Sequence, residues 1–309
     1  MDDYVYQLAA PANFGCGGKI CFAARNTGLF RSEDGGQSWQ SLYDSLNLAE
    51  PLPSMAIGVP PNFERSPRLF AGVAGGILRS LDGGQSWQNS DVPKPPPIVA
   101  ALAFSPNYEN DGMVFAGTME DGVIFTSNRG DNWVSWNFGL LDLNTLCLGI
   151  SPAFANDETL FAGVQSGLFR SANGGRAWRE VELPVGYEAI LSLALSPNFG
   201  SDHTLFAGCE TQGLLVSRDG GETWQQLGQD VFTDPVNAIL LAADFPTNPE
   251  MLALHSGMIL YSPDGGASWT PWREAELAEA EASALLAPLG FGAGQPVLVG
   301  LADGQIIQV

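Results

Sequence analysis

A short phrase, Ser/Thr-x-Asp/Asn-x-Gly-x-x-Trp, occurs six times in this chain of 309 residues. Its tryptophans follow one another at intervals of 45 to 48 residues. A fixed period in this range is typical of repeat proteins, in which each unit buries its apolar surface only against its neighbours. The phrase therefore constrains the architecture of the entire chain.

Each copy of the phrase has the chemistry of a tight turn, and we call it the clasp. The hydroxyl and the Asp or Asn side chain can accept hydrogen bonds from nearby backbone amides, the glycine permits a positive φ, and the tryptophan covers the turn. Two copies carry Asn, which suits a turn but not a metal ligand or a general acid. We expect a structural role for all these residues: Ser32, Asp34, Gly36, Trp39, Ser80, Asp82, Gly84, Trp87, Thr126, Asn128, Gly130, Trp133, Ser171, Asn173, Gly175, Trp178, Ser217, Asp219, Gly221, Trp224, Ser262, Asp264, Gly266 and Trp269.

The residues between the clasps predict strands. Two short apolar runs joined by a Gly-containing turn precede each clasp, for example Leu-Phe-Ala-Gly at 160–163 and Gly-Leu-Phe-Arg at 167–170. Such runs indicate an antiparallel hairpin. A small, apolar run upstream, closed by Ser-Pro and an aromatic residue, predicts a first strand buried on both faces. A fourth strand beginning at the clasp tryptophan completes a four-stranded meander.

The predicted fold class is all-β, a seven-bladed β-propeller of four-stranded antiparallel blades in one domain spanning 1–309. We expect blades at approximately 4–43, 53–92, 98–137, 144–184, 188–229, 236–274 and 283–309. The last blade has only three predicted strands, because residues 4–11 already match the first strand of blade one. Gln305–Val309 should then present an open apolar edge, either a site where a partner or second copy adds a strand or an edge left by shortening the chain. The alternative is that Tyr4–Leu8 fills this position.

The charge balance limits the partners. The chain has 34 acidic and 13 basic residues and a net charge of -21. Such a surface repels phosphate backbones, so we expect neither nucleic acid binding nor membrane insertion. The arginines directly before three clasps, Arg31, Arg79 and Arg170, predict a repeated role on the blade surface.

The remaining composition indicates no cofactor and no zinc site. Of four cysteines, Cys16 and Cys21 flank a turn and are candidates for a pair, while Cys147 and Cys209 lie in predicted strands as small apolar residues. His203 and His255 lie in different blades, in loops where a histidine is usually solvated. No signal peptide or apolar run of about 20 residues occurs, which predicts a cytoplasmic protein unless a signal was removed.

The clasp resembles the Asp-box, or bacterial neuraminidase repeat. The fuller pattern, Ser-Pro-x-Phe followed by Leu-Phe-Ala-Gly and Gly-Leu-Phe-Arg-Ser-x-Asp-Gly-Gly-x-Ser-Trp, is most similar to bacterial glycosyl-hydrolase-like and sortilin-like Asp-box propellers. The family also includes sialidases, xyloglucan-cleaving glycosidases and the photosystem II assembly propeller. The resemblance covers 1–309 and implies the fold, but it does not select a function.

The enzyme functions in this family need residues that this chain does not show. A sialidase needs three converging arginines, a Tyr nucleophile beside a Glu, and an Asp acid. Its Arg-Ile-Pro signature is absent, since Arg25 is followed by Asn-Thr and Arg31 by a clasp. Tyr108 occupies the aromatic position of a repeated loop. The xyloglucan-cleaving enzymes hold substrate between two propellers, whereas this chain forms one.

The sequence therefore favours a non-catalytic binding or scaffolding propeller with a protein partner, and the alternative is a carbohydrate-binding or glycoside-hydrolase-like propeller. The hairpin turns between second and third strands, together with the connections between blades, vary while the clasps repeat, so we call them the variable loops and expect recognition there. Drift in unconstrained loops explains the same variation equally well. The candidate binding residues are Glu120, Asp121, Trp136, Phe138, Tyr187, Glu210 and Asp303. We predict no metal site, although the turns at Glu120, Asp121, Glu210 and Asp303 would hold a cation if they converged.

Overall fold

A computed structural model of the chain describes residues 3–277, 280–292 and 295–309. These residues form seven antiparallel sheets, six with four strands and one with three, and within each sheet the strands pair in chain order. The seven-bladed β-propeller with a three-stranded last blade is therefore confirmed, and we number the sheets as blades 1 to 7. The organisation of 1–309 as a single domain stays a prediction.

Two compact units divide the chain. The first contains 1–118, 124–135 and 282–309. Its blades are blade 1 with β1 (Val5–Ala9), β2 (Cys21–Arg25), β3 (Gly28–Ser32) and β4 (Gln40–Ser41); blade 2 with β5 (Ser54–Gly58), β6 (Leu69–Val73), β7 (Gly76–Ser80) and β8 (Gln88–Asn89); blade 3 with β9 (Ile98–Phe104), β10 (Val114–Met119), β11 (Gly122–Thr126) and β12 (Val134–Ser135); and blade 7 with β25 (Ala282–Leu286), β26 (Leu298–Leu301) and β27 (Ile306–Gln308).

The second unit contains 119–123, which is the hairpin tip of blade 3, and 136–281. Its blades are blade 4 with β13 (Thr145–Ile150), β14 (Leu160–Val164), β15 (Gly167–Ser171) and β16 (Arg179–Glu180); blade 5 with β17 (Ile190–Leu195), β18 (Leu205–Cys209), β19 (Leu214–Ser217) and β20 (Gln225–Leu227); and blade 6 with β21 (Val236–Leu241), β22 (Met251–His255), β23 (Met258–Ser262) and β24 (Thr270–Pro271). Each fourth strand begins one residue after the clasp tryptophan rather than at it.

Short helices occupy several of the loops. They are α1 (Tyr108–Asp111), α2 (Phe154–Asp157), α3 (Phe199–Asp202), α4 (Glu274–Leu277) and a 3-10 turn (Asp44–Leu46). In α1 the Ser105 hydroxyl accepts the amide of Asn107 at 3.1 Å and donates to Asp111 at 2.5 Å, and α2 and α3 repeat this arrangement. The side-chain bonds explain why Ser-Pro is followed by one helical turn. The sequence at 272–283 is rich in Ala and Glu, which favours a turn or two of helix. Its described part contains such a turn, α4, and 278–279 lie outside the described residues.

In each blade the second strand is more buried than the first, whereas the sequence analysis expected the first strand to be buried on both faces. All five residues of β6, β14, β18 and β22 are buried, whereas most residues of β9, β13 and β17 are only half-buried. The second strand has a strand on either side and a neighbouring blade on its faces. The first strand ends the sheet and has a strand on one side only, which leaves it partly exposed.

The core lies between neighbouring blades within each unit. Phe161 of blade 4 joins Leu205 and Trp224 of blade 5 in one buried cluster, and Phe206 of blade 5 joins Met251 and Leu260 of blade 6 in the next. In the first unit, blades 1 and 2, blades 2 and 3, and blades 7 and 1 share equivalent clusters. The aromatic residue of each Leu-Phe-Ala-Gly run thus packs against the blade that follows it.

The arginines before the clasps bind the next clasp along the chain. Arg31 donates to the carbonyl of Gly83 at 2.9 Å, and Arg79 donates to the carbonyl of Arg129 at 3.3 Å. Arg170 pairs with Glu222, which follows the clasp glycine of blade 5. The repeated surface role predicted for these residues is a connection between adjacent blades.

Blade 7 packs on blade 1 by the same contacts that join other blades. The Ser283 hydroxyl donates to the carbonyl of Val5 at 2.9 Å, as that of Ser192 donates to the carbonyl of Val236 at 2.7 Å. The strand β1 pairs with β2, in the register Val5 opposite Arg25. The alternative in which Tyr4–Leu8 fills the outer position of blade 7 is therefore wrong, and β27 pairs with β26 alone among the described strands.

Two expectations about reactive side chains need correction. His255 is not in a solvated loop: it ends β22, is buried, and lies edge-on against Phe232. Cys16 and Cys21 do not pair, and all four cysteines are free. Burial raises the pKa of the Cys21, Cys147 and Cys209 thiols to about 12, so these three are weak nucleophiles. Among the described residues, no helix has the length and apolar character to cross a membrane.

Candidate functional site

The six clasps are hydrogen-bonded turns. In blade 5 the Ser217 hydroxyl donates to Asp219 at 2.8 Å and accepts the amide of Gly221 at 2.8 Å. The Asp219 carboxylate also accepts the amide and hydroxyl of Thr223, which lowers its pKa to about 2. In blades 3 and 4, Asn128 and Asn173 accept the equivalent amides. The clasp acids are therefore ionised turn caps, which cannot act as proton donors near neutral pH.

Two clasp tryptophans, Trp178 and Trp87, bind the connection that leaves the preceding blade. The indole nitrogen of Trp178 donates to the carbonyl of Trp136 at 2.8 Å. The backbone amide of Trp178 donates to the carbonyl of Phe138, also at 2.8 Å. Trp87 makes the equivalent indole bond to the carbonyl of Leu42, also at 2.8 Å. Each of these clasps thus fixes the start of a variable loop.

The variable loop at 136–144 is fastened at both ends. The Asn137 amide group donates to the carbonyl of Asp121 and accepts the amide of Val123, both at 2.8 Å. Asp142 accepts the amide of Asn144 at 2.9 Å and that of Ser166 at 2.8 Å. Partial burial opposes the charge of Asp142, but these bonds outweigh it and lower its pKa. The loop is thereby tied to the hairpin turns of blades 3 and 4.

Two large apolar side chains stand out from this fastened loop. Phe138 is 81% exposed and Leu141 is 79% exposed, whereas Leu140 between them is buried. We call Phe138 and Leu141 the apolar ridge. The sequence analysis named Phe138 but not Leu141, although two adjacent leucines in a surface loop seldom both point inward.

The next connection, 181–189, is held by a buried carboxylate. Glu188 accepts the amide and hydroxyl of Thr211, the latter at 3.0 Å, and the amide of Glu210 donates to the carbonyl of Ala189 at 3.0 Å. Asp3 and Asp142 bind the hairpin turns of blades 1 and 4 in the same way. An acidic residue two or three positions before a first strand was a signal that the sequence analysis did not use.

A cavity of about 390 Å³ lies between the hairpin turn of blade 4 and residues 180–187. It is lined by Ser166 and Gly167 on one side and by Glu180, Glu182 and Tyr187 on the other. Tyr187 is 83% exposed. A Cβ atom added at Gly167 or Gly186 would meet no atom within 4 Å, so both glycines leave room in the cavity.

The predicted binding residues separate into groups. The carbonyl of Asp121 accepts the side chain of Asn137, and Asn137 lies between Trp136 and Phe138 in the chain. Glu120 is exposed at the same turn in a left-handed conformation, φ 74°. Tyr187 directly precedes Glu188, which accepts the amide of Thr211. Glu210 donates its own amide to the carbonyl of Ala189, so Tyr187 and Glu210 belong to two segments that are hydrogen-bonded to each other. Asp303 belongs to the first unit, where its carboxylate caps its own turn by accepting the amide of Gln305 at 2.9 Å.

The cation considered at Glu120, Asp121, Glu210 and Asp303 finds no support. In 3–277, 280–292 and 295–309, no group of three or more His, Cys, Asp or Glu side chains is placed to hold a metal ion. The site in the second unit therefore consists of the apolar ridge and the cavity, which offer apolar, aromatic and carboxylate groups to a ligand.

Comparison with known proteins agrees with this architecture. The family model for the BNR/Asp-box repeat matches residues 215–226, which include the clasp of blade 5. No curated protein sequence matches the chain. The structure is similar to the extracellular domain of the one-component system BT4673 of B. thetaiotaomicron, with a TM-score of 0.75, 15% identity, and coverage of 99% of this chain and 38% of that one.

Two further similar structures are an enzyme and a protein solved with a bound peptide. One is a GH74 xyloglucanase from Xanthomonas campestris, with a TM-score of 0.73, 18% identity, and coverage of 99% of this chain and 51% of that one. The other is YCF48 bound to a D1 peptide, with a TM-score of 0.72, 17% identity, and coverage of 99% and 93%. The chain spans 38% of the BT4673 structure and 51% of the xyloglucanase structure. At these identities the likeness shows the fold, and the chain is an Asp-box β-propeller.

Proposed function

We propose that this Asp-box β-propeller is a non-catalytic module that binds a protein partner through the variable loops at 119–123, 136–144, 181–189 and 210–212. The observation that carries the proposal is the apolar ridge: Phe138 and Leu141 are about four-fifths exposed on a loop that hydrogen bonds hold in place. Large apolar side chains that are rigid and exposed mark interaction sites, because a fixed loop loses little entropy when it binds.

The residues around the ridge support a binding role more than a catalytic one. The pKa of Asp142 is lowered, and the Glu188 carboxylate is occupied by Thr211. A glycosidase acid needs a raised pKa and a free proton to donate. The similarity to YCF48, a protein whose structure was solved with a peptide, is consistent with a propeller of this size that binds protein.

The test is affinity capture from the native lysate with a double variant, Phe138→Ser with Leu141→Ser. We expect the wild type to retain a protein partner that the variant loses. Leu81→Ser is the matched control, since Leu81 is also an exposed leucine, 46% accessible, but lies in a clasp. If the variant and the wild type retain the same proteins, the ridge is not the binding surface.

A carbohydrate ligand is the second candidate. The exposed Tyr187 beside Glu180 and Glu182 resembles the aromatic and carboxylate lining of a sugar site, and one similar structure is a xyloglucanase. A glycan array and a hydrolysis screen with xyloglucan and sialosides test it. Binding or turnover that Tyr187→Ala abolishes would favour this candidate over the protein partner.

We further propose that the outer edge of β27 accepts a strand from a partner or a second copy. The residues Gln305–Val309 carry no charged side chain and no proline, and β27 is hydrogen-bonded to β26 on one side only. Exposed edges of this kind pair readily with other strands. Amide exchange should be faster at 306–307 than in β22 for the isolated protein and should slow when the partner binds. Equally slow exchange in the isolated protein would contradict this proposal.

A further inference from the structure

The loop that carries the apolar ridge is hydrogen-bonded to the hairpin turn that lines the cavity. Asp142 directly follows Leu141, and its carboxylate accepts the amide of Ser166, which lines the cavity. An extended ligand that contacts both the ridge and the cavity would meet an apolar end and an acidic end.

The acidic end carries charge that the protein does not neutralise. Glu180 and Glu182 flank buried Val181, so the alternation of an extended chain places both carboxylates on the exposed side, with Cα atoms about 7 Å apart. Neither is paired with an Arg or Lys in the part of the chain that the structure describes. By contrast, Glu158 is paired with Arg176, and Glu222 with both Arg170 and Arg179.

The variable loops of the second unit carry almost no positive charge. By sequence, the variable loops of the second unit contain one basic residue, Arg273. Their acidic residues include Glu120, Asp121, Asp142, Glu182, Glu188, Glu210, Asp230 and Asp234. Clefts lined by charge of one sign attract ligands of the opposite sign and repel those of the same sign. Anionic glycans and nucleic acids are thereby disfavoured, and a cationic ligand is favoured.

Tyr187 adds a contact of its own to such a ligand. Its ring is almost fully exposed at the edge of the cavity, beside the space that Gly186 and Gly167 leave open. The face of an exposed aromatic ring attracts an ammonium or guanidinium group. A carboxylate pair next to an aromatic ring is suited to a Lys or Arg side chain.

We propose that this site binds an extended peptide segment of a partner protein in which Lys or Arg side chains adjoin apolar ones. The basic side chain enters the cavity between Glu180, Glu182 and Tyr187, and the apolar side chains cover Phe138 and Leu141. This inference rests on the proposed function, since it specifies the chemistry of the protein partner at the same loops.

The test uses defined peptides rather than the natural partner. The probe is a fluorescein-labelled pool of peptides in which Lys or Arg alternates with Leu or Phe. One control pool has Glu in place of the basic residues and another has Ser in place of the apolar ones. Fluorescence anisotropy should show binding of the first pool alone, and the binding should weaken as salt is raised because the charges are screened.

Protein variants locate the binding. Glu180→Gln with Glu182→Gln should weaken binding of the basic pool about fivefold or more, as expected for losing two charges at the rim of an interface. Tyr187→Ala should weaken it at least about tenfold. The matched control is Glu50→Gln with Glu64→Gln, which makes the same change in net charge at two exposed residues of the first unit and should leave binding unchanged.

The outcomes separate this inference from the proposed function. If the basic pool does not bind, or if the control variant weakens it as much as the site variant, the cationic-peptide inference is wrong. If the Phe138→Ser and Leu141→Ser variant still loses the lysate partner, the proposed function remains supported although the peptide inference is wrong. If every variant still binds both the basic peptides and the lysate partner, the cationic-peptide inference and the proposed function are both wrong.

Discussion

The clasp tryptophan is the side chain with the largest predicted effect on stability at the residue scale. Trp178 is buried and its two nitrogens hold the carbonyls of Trp136 and Phe138, whereas Trp136 itself is half-buried. We expect Trp178→Ala to lose about 3–5 kcal/mol of unfolding free energy, because it opens a cavity in a packed core. Trp136→Ala should cost far less. Urea denaturation measures both, and equal losses would show that the clasp tryptophan does not lock the blade.

The clasp carboxylates predict a specific dependence of stability on pH. Hydrogen bonds from Thr223 hold the pKa of Asp219 at about 2, below its ordinary value of 3.8. A group with a lowered folded-state pKa stabilises the protein above its unfolded pKa, and this contribution disappears as the pH falls through the folded pKa. Asp219→Asn should therefore lower the melting temperature at pH 7, and its difference from the wild type should shrink between pH 4 and pH 2.

The chain provides a reciprocal control for this prediction. Blade 4 carries Asn173 at the equivalent position, where it accepts the amide of Ala177 without titrating. Asn173→Asp should raise the melting temperature at pH 7 and lose that gain as the pH falls towards 2. A difference between wild type and Asp219→Asn that stays constant from pH 7 to pH 2 would contradict the assigned role of the carboxylate.

At the scale of elements, the glycine of Leu-Phe-Ala-Gly sets the spacing between blades. A Cβ atom added at Gly208 would lie 2.4 Å from the carbonyl oxygen of Val236 in the next blade, and one at Gly163 would lie 2.8 Å from that of Ile190. The same close approach recurs at Gly72 and Val99 in the first unit. The second strand of one blade thus needs a residue without a side chain where the next blade's first strand begins.

Replacement of this glycine should be costly even though alanine suits a strand. We expect Gly208→Ala to lose about 1–3 kcal/mol, because the added methyl group forces two backbones apart. Gly292→Ala is the control: its Cβ would meet no atom within 4 Å, and we expect a change within about 0.5 kcal/mol. Thermal or chemical denaturation compares the two, and equal stability would mean that the blades separate without strain.

On the scale of the whole molecule, the net charge of -21 opposes folding through repulsion among the acidic residues. Many of the arginines are paired with acidic residues, and their ion pairs, such as Arg170 with Glu222, lie near clasps. The remaining excess of carboxylates is not compensated within the chain. Binding to a cationic partner would relieve this repulsion as well as make contacts.

The same charge predicts how the fold responds to salt. We expect the melting temperature to rise by a few degrees between about 10 mM and about 300 mM sodium chloride, because salt screens repulsion over distances near the Debye length. Differential scanning fluorimetry measures this, with potassium chloride to exclude an effect of sodium itself. A melting temperature that falls with salt would show that attractive ion pairs, not repulsion, dominate the electrostatics.

The amino-acid sequence by itself determined the repeat, the number of blades and the three-stranded last blade. Each of these depends on neighbouring residues: the period of the tryptophans, the alternation of apolar runs, and a turn closed between Ser217 and Trp224. The order of strands follows, because a meander pairs each strand with the next one. The candidate loops were found for the same reason, since they are what varies between otherwise equal repeats.

Only the tertiary structure decided which side chains of those loops point outward. Leu140 is buried and Leu141 is exposed on a loop that Trp178, about 40 residues further along the chain, fixes by hydrogen bonds to the carbonyls of Trp136 and Phe138. His255 is buried against Phe232, which lies in a connecting loop, and Arg31 donates to the carbonyl of Gly83 in the next repeat. Both contacts join residues that are distant in the sequence. A local pattern predicts the contacts that a residue makes within its own repeat, whereas the contacts between repeats depend on how blades pack, and these set the exposure of Phe138, Leu141 and Tyr187.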